Sequence, residues 1–96
     1  MLYQITTNGP LTTPFLHTGR SNDRDLHIIV SASGAGETLS SAQIEIQKLF
    51  EDEVWRTIPD AVYTDQVAKL ISLNEDVSIR YNVTGASSPN FIIELT

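Results

Sequence analysis

The sequence predicts an all-β domain, a small antiparallel sandwich or barrel of about 7–8 strands. Two observations carry this. Apolar and polar side chains alternate with a period of two in several runs, which puts one set on a core and the other toward water. Clusters of Gly, Pro, Asn and Ser fall between those runs every 8–12 residues or so, the spacing of short strands joined by tight connections.

Taken in order, the chain opens with Met1-Leu2-Tyr3-Gln4-Ile5-Thr6-Thr7 as a first run, followed by the turn residues Asn8-Gly9-Pro10. Pro10-Leu11-Thr12-Thr13-Pro14-Phe15-Leu16 follows, with two prolines and several apolar groups. It reads as an edge arm able to lie along a partner, or as an edge strand capping the core. Leu11, Pro14, Phe15 and Leu16 are its candidate contact residues, within a wider arm or loop region at 8–24. Thr18-Gly19-Arg20-Ser21-Asn22-Asp23 is a polar turn before a third run, Leu26, Ile28, Val30 and Ala32. Ile29, on the opposite parity of that run, suggests that its second face is partly covered too. Ser33-Gly34-Ala35-Gly36 ends it.

Residues 40–58 admit two readings. Ala42, Ile46, Leu49, Phe50 and Val54 have helical spacing, with Ser40 or Ser41 as a cap. Ile44 lies off that stripe, yet it shares one strand face with Ile46. A hairpin also leaves Glu51-Asp52-Glu53 at an exposed tip, where like charges cost least, so the hairpin is preferred. Val54-Trp55-Arg56-Thr57-Ile58 is then the returning strand, stopping at Pro59. Val67, Lys69, Ile71 and Leu73 form a weaker alternating set. After Asn74-Glu75-Asp76 come Val77, Ile79, Tyr81 and Val83, then the turn Gly85–Pro89, then Phe91, Ile93 and Leu95.

The chain has 96 residues, room for one domain over 1–96 at ~100–200 residues per domain. Hydrophobic residues make up 41% and charged residues 19%, a globular composition and not that of a disordered segment. The absence of cysteine removes disulfides, thiolate nucleophiles and Cys-based metal sites. Six basic residues against twelve acidic ones give a net charge of −6, which argues against nucleic acid or an anionic membrane as partner. With neither a basic leader nor a long apolar run, the expectation is a soluble protein without a signal peptide. The sequon at Asn82-Val83-Thr84 then reads as a coincidence within a strand.

The run Gln43–Pro59, an alternating strand, a polar turn and a Trp-bearing strand ending near proline, resembles a pattern of small virion proteins of tailed bacteriophages. Val77-Ser78-Ile79-Arg80-Tyr81-Asn82-Val83-Thr84-Gly85-Ala86, followed by Phe91-Ile92-Ile93-Glu94-Leu95, is similar to the closing hairpin of such domains. The resemblance covers about residues 42–96. It departs at Glu51-Asp52-Glu53, where that pattern commonly has Asp-Gly-Gly, so a different and longer turn is expected.

The resemblance implies an immunoglobulin-like or jelly-roll-like β-sandwich. It also implies a structural role: decorating or cementing a capsid, or forming a fibre base or head–tail part. The implied partner is a major capsid protein or another virion protein, with dimers or trimers common among such domains. The implied location is the virion, after synthesis in the host cytoplasm. Similar hairpins occur in adhesion and carbohydrate-binding modules, which leaves a glycan- or receptor-binding module of a fibre as the alternative.

Candidate chemistry is sparse. His17 and His27 are ten apart with no ligand-spaced partner, so no metal is expected. Gly34-Ala35-Gly36-Glu37 lacks the spacing and the lysine of a nucleotide-binding loop. There is no nucleophile elbow and no convergent acid, base and nucleophile, so no catalytic residue, enzyme activity or cofactor is expected. Carboxylates at 51–53 and 74–76 make a calcium site conceivable, but no Ca²⁺-loop spacing accompanies them, and a solvated surface is favoured. Trp55 and Tyr63 could form a sugar-stacking platform, although a lone Trp in a strand more often anchors a core.

Overall fold

The computed structural model of the chain describes residues 1–22, 24–32, 39 and 41–96. The turn at Ser33-Gly34-Ala35-Gly36, the Gly34–Glu37 comparison, the Ser40 cap and Asp23 lie outside the described residues. Among the described residues nine strand segments form: β1 (Leu2–Ile5), β2 (Gly9–Pro10), β3 (Phe15–Thr18), β4 (Leu26–Ala32), β5 (Gln43–Leu49), β6 (Trp55–Tyr63), β7 (Val67–Ile71), β8 (Asp76–Thr84) and β9 (Phe91–Leu95). One helical turn, α1 (Gly19–Asn22), joins β3 to β4.

The strands make two antiparallel sheets. Sheet A has the order β1-β9-β4-β7; sheet B has the order β2-β8-β5-β6, with β3 also paired to β8. The pairs are nested: β1 with β9, β2 and β3 with β8, β4 with β7, and β5 with β6. This is the pairing of one long hairpin rolled upon itself, and β4·β9 and β5·β8 lock the roll. With β2 and β3 counted as one interrupted strand, it is the eight-position order of a jelly roll. Of the two sandwich types that the resemblance implies, this is the one present.

The alternating residues do as their period dictates. Leu26, Ile28 and Val30 of sheet A, with Phe91, Ile93 and Leu95, meet Ile44, Ile46, Ile79 and Val83 of sheet B in one core. Tyr3 and Tyr81 join the layers edge to face, their ring centroids 5.4 Å apart. The hairpin reading of 40–58 holds. The β5–β6 turn is a three-residue loop closed by Phe50 N–H donating to Val54 O (3.0 Å), with Glu53 N–H donating to Phe50 O (2.9 Å). Glu53 is left-handed at φ 64°, the usual arrangement of a turn followed by an αL residue.

One expectation fails in β6. The strand does not stop at Pro59 but continues to Tyr63. Pro59 is tolerated because β6 is an edge strand, whose outward backbone needs no ladder donor. Between Thr57↔Gln47 and Val62↔Glu45 the β6 side has three more residues than β5, so the strand bulges, with Asp60 left-handed at φ 64°. Ile58 and Ala61, three apart, are both buried there. An odd spacing of inward residues means that the facing of β6 flips across the bulge.

The turn residues Gly9-Pro10 are also not free of the sheet, since they pair with Val83 and Asn82 as β2. Asn8 secures that corner: its side-chain amide donates to Ala86 O and its Oδ1 accepts from Ala86 N–H, both at 3.0 Å.

Candidate functional site: the outer face of sheet B

Register assigns every strand residue of sheet B to one of two faces. Ile44, Ile46, Ile79 and Val83 point inward, so Gln47, Arg80, Thr57, Ser78, Leu49 and Trp55 point outward. Trp55 is therefore not a core anchor. It stands half-buried on the outer face opposite Leu49, with the Arg80 guanidinium 4.6 Å from its ring centroid. Arg80 Nε donates to Gln47 Oε1 at 2.8 Å, and this pairing is how a glutamine only 9% exposed is satisfied. A planar cation held over an indole and fixed by a second hydrogen bond is a pre-ordered polar and aromatic surface.

Tyr63 does not join it. Eight residues after Trp55 it would share the same face of a regular strand, but the bulge turns it to the core side, opposite Ile44. The Trp55–Tyr63 stacking platform is thus not assembled. The Tyr63 hydroxyl is buried and, among the described residues, has no hydrogen-bond partner.

The four candidate arm residues separate along their strand. Leu11 is 9% exposed, with its N–H donating to Tyr81 O at 3.0 Å. Phe15 faces inward opposite Ile79 and packs against the core. Pro14 is exposed, and Leu16, opposite Ser78, is 60% exposed on the outer face. The segment is an edge of sheet B that plugs the core with one parity and presents Leu16 with the other.

Past Lys48↔Ile79, β5 and β8 diverge. The gap is a cavity of about 540 Å³, floored by Leu49, Phe50 and Val77 and rimmed by Arg20, Glu51, Glu75, Asp76 and Ser78. The loops carrying this rim are tied together, since Gly19 N–H donates to Glu75 O and Arg20 N–H donates to Asp76 Oδ1. Lys48 pairs with Glu75 at 3.1 Å and, like Arg56, sits over the Phe50 ring. Arg56 donates two hydrogen bonds to Asp52 (3.0 and 2.7 Å), and these hold the Asp52 carboxyl below its ordinary value of 3.8, helped by Val54 N–H. Two of the turn carboxylates considered for calcium are thus engaged by cations, and no three His, Cys, Asp or Glu residues converge on a metal position among the described residues. His17 is buried with Nε2 donating to Leu73 O at 2.9 Å, and His27 is exposed on sheet A.

No family model, curated protein or solved structure matches this chain. The outer face of sheet B carries the residue types that concentrate the energy of protein interfaces, Trp and Arg, beside an exposed Leu and an acid-rimmed notch. The sequence singled out Leu16 and Trp55 but not Arg80, whose neighbours are set only by register.

Proposed function

We propose that the protein is a non-catalytic virion structural subunit, a capsid decoration or cement protein, attaching through the outer face of sheet B and its β3 edge. The observation that carries the reading is Leu16, 60% exposed on an edge strand level with Ser78, on the same face as Trp55 and Arg80. An apolar group held out on a rigid strand next to an ordered Trp–Arg pair suits docking to a folded partner more than turnover of a substrate. The acid-rimmed notch fits a partner that presents a basic side chain there. A net charge of −6 keeps free copies dispersed and off packaged nucleic acid. Binding to a repeated lattice would also stabilise a small core by mass action.

The chain should be a stoichiometric component of purified particles of the phage that encodes it and should rebind particles stripped of it. Its absence from such particles contradicts the proposal. A second reading, a glycan- or receptor-binding module, draws on the outward position of Trp55. Saturable sugar binding that is lost in Trp55→Ala would favour it over a cement role.

A further inference from the structure

The corner at Asn8-Gly9 carries covalent chemistry of its own. The chain has five asparagines, and only Asn8 is followed by glycine; Asn22, Asn74, Asn82 and Asn90 precede Asp, Glu, Val and Phe. A glycine nitrogen has no Cβ beside it to hinder approach, so it is the backbone nitrogen best able to attack a preceding asparagine side chain. Asn8 is exposed, and a Cβ on Gly9 would meet nothing within 4 Å, so the dipeptide lies open to water.

In the folded chain both reacting groups are occupied. The Asn8 side-chain nitrogen donates to Ala86 O and its Oδ1 accepts from Ala86 N–H, each at 3.0 Å. Gly9 is opposite Val83, and Pro10 has no N–H with which to bond that pair from the next residue. Gly9↔Val83 is therefore a pair whose own N–H groups donate, in step with Leu11 N–H donating to Tyr81 O two residues on. The Gly9 N–H is thus held by Val83 O. Gly9 also takes φ 119°, which side-chain-bearing residues rarely adopt, so the corner requires the very residue that makes it labile.

We infer that Asn8-Gly9 is a site of spontaneous deamidation, kept shut by the β2–β8 corner, and that the modification prevents the corner from closing again. On opening, the Gly9 nitrogen gives up its proton and attacks Asn8 Cγ. The Cγ–Nδ2 bond breaks, and ammonia leaves with that proton. The cyclic imide then takes up water at either carbonyl and yields aspartate or isoaspartate. One water enters and one ammonia leaves, and the reaction needs no oxidant or reductant. Aspartate at position 8 sets an acceptor oxygen against Ala86 O, where Nδ2 had donated, and isoaspartate adds a methylene to the main chain ahead of β2. Either product leaves Ala86 O without its donor. The step depends on this corner alone and stands apart from the attachment surface proposed above.

Peptide mapping by mass spectrometry tests this on the full chain, incubated folded and in urea in the same mildly alkaline buffer. In urea, Asn8 should deamidate ahead of the other asparagines. In the folded chain it should react at least about tenfold more slowly, because the reaction waits on local opening. Asn8→Asp should keep the β circular-dichroism spectrum but lose hydrogen-exchange protection at the Ala86 and Gly9 amides. Equal rates in the folded chain and in urea would overturn the inference, as would an intact Asn8 in urea or unchanged protection in Asn8→Asp.

Discussion

Gly19 packs directly against the buried ring of His17. A Cβ at this position would lie inside van der Waals contact with both His17 Nε2 and the Leu73 carbonyl oxygen that accepts its hydrogen bond. The pair ties the end of β3 to the β7–β8 connection, where Gly19 N–H also donates to Glu75 O. A glycine is needed here for closeness of approach and not for a left-handed backbone.

Gly19→Ala should therefore destabilise the fold by about 1–3 kcal/mol, the usual range of overpacking. Denaturant unfolding should show a lower midpoint with an unchanged m-value. His17→Leu should cost about 1–3 kcal/mol, because it leaves the buried Leu73 carbonyl without its donor.

Glu53 has the opposite problem. It adopts φ 64° at the tip of the β5–β6 hairpin, beside the carboxylates Glu51 and Asp52. A left-handed backbone costs a side-chain-bearing residue about 1–2 kcal/mol, of which glycine returns part as unfolded-state entropy. Glu53→Gly should stabilise by about 0.5–1 kcal/mol and raise Tm by a few degrees in calorimetry. An unchanged or lower Tm would contradict the turn assignment.

The strand pattern was open to sequence reading because burial obeys a period of two: Leu26/Ile28/Val30, Phe91/Ile93/Leu95 and Ile79/Val83 all face the core as their spacing requires. The hairpin over 40–58 was legible from Ile44 and Ile46 sharing one face, the charged tip Glu51-Asp52-Glu53 and the β-formers of 54–58, although its second strand runs on to Tyr63. What the sequence hid was the bulge in β6. Pro59 reads as a stop, yet on an edge strand it marks an irregularity, and the parity flip there separates Trp55 from Tyr63. Which strands pair, and hence that Arg80 covers Trp55, depends on contacts remote in sequence that no local spacing encodes.

Tyr3, Tyr63 and Tyr81 all titrate above the ordinary tyrosine value of 10.0, chiefly because burial disfavours the phenolate. Asp60 adds to this at Tyr63, and Tyr3 adds to it at Tyr81. A folded-state value raised above the unfolded one gives stability that is whole below pH 10.0 and is lost as pH rises through the folded value. Spectrophotometric titration should show tyrosine ionisation delayed beyond that of the urea-unfolded chain, with stability falling over the same interval.

Tyr63→Phe removes a buried hydroxyl that has no partner among the described residues. Stability at neutral pH should be unchanged or higher by up to about 1 kcal/mol. A loss larger than that would mean the hydroxyl is hydrogen-bonded after all.

The most direct test of the passive, face-to-partner account is a binding isotherm on purified particles, comparing the wild type with Leu16→Asp. Both should unfold at nearly the same temperature, since Leu16 is 60% exposed and lies outside the core. The account predicts saturable, stoichiometric binding by the wild type and its loss in Leu16→Asp. Equal binding by the two proteins, or none by either, would contradict it.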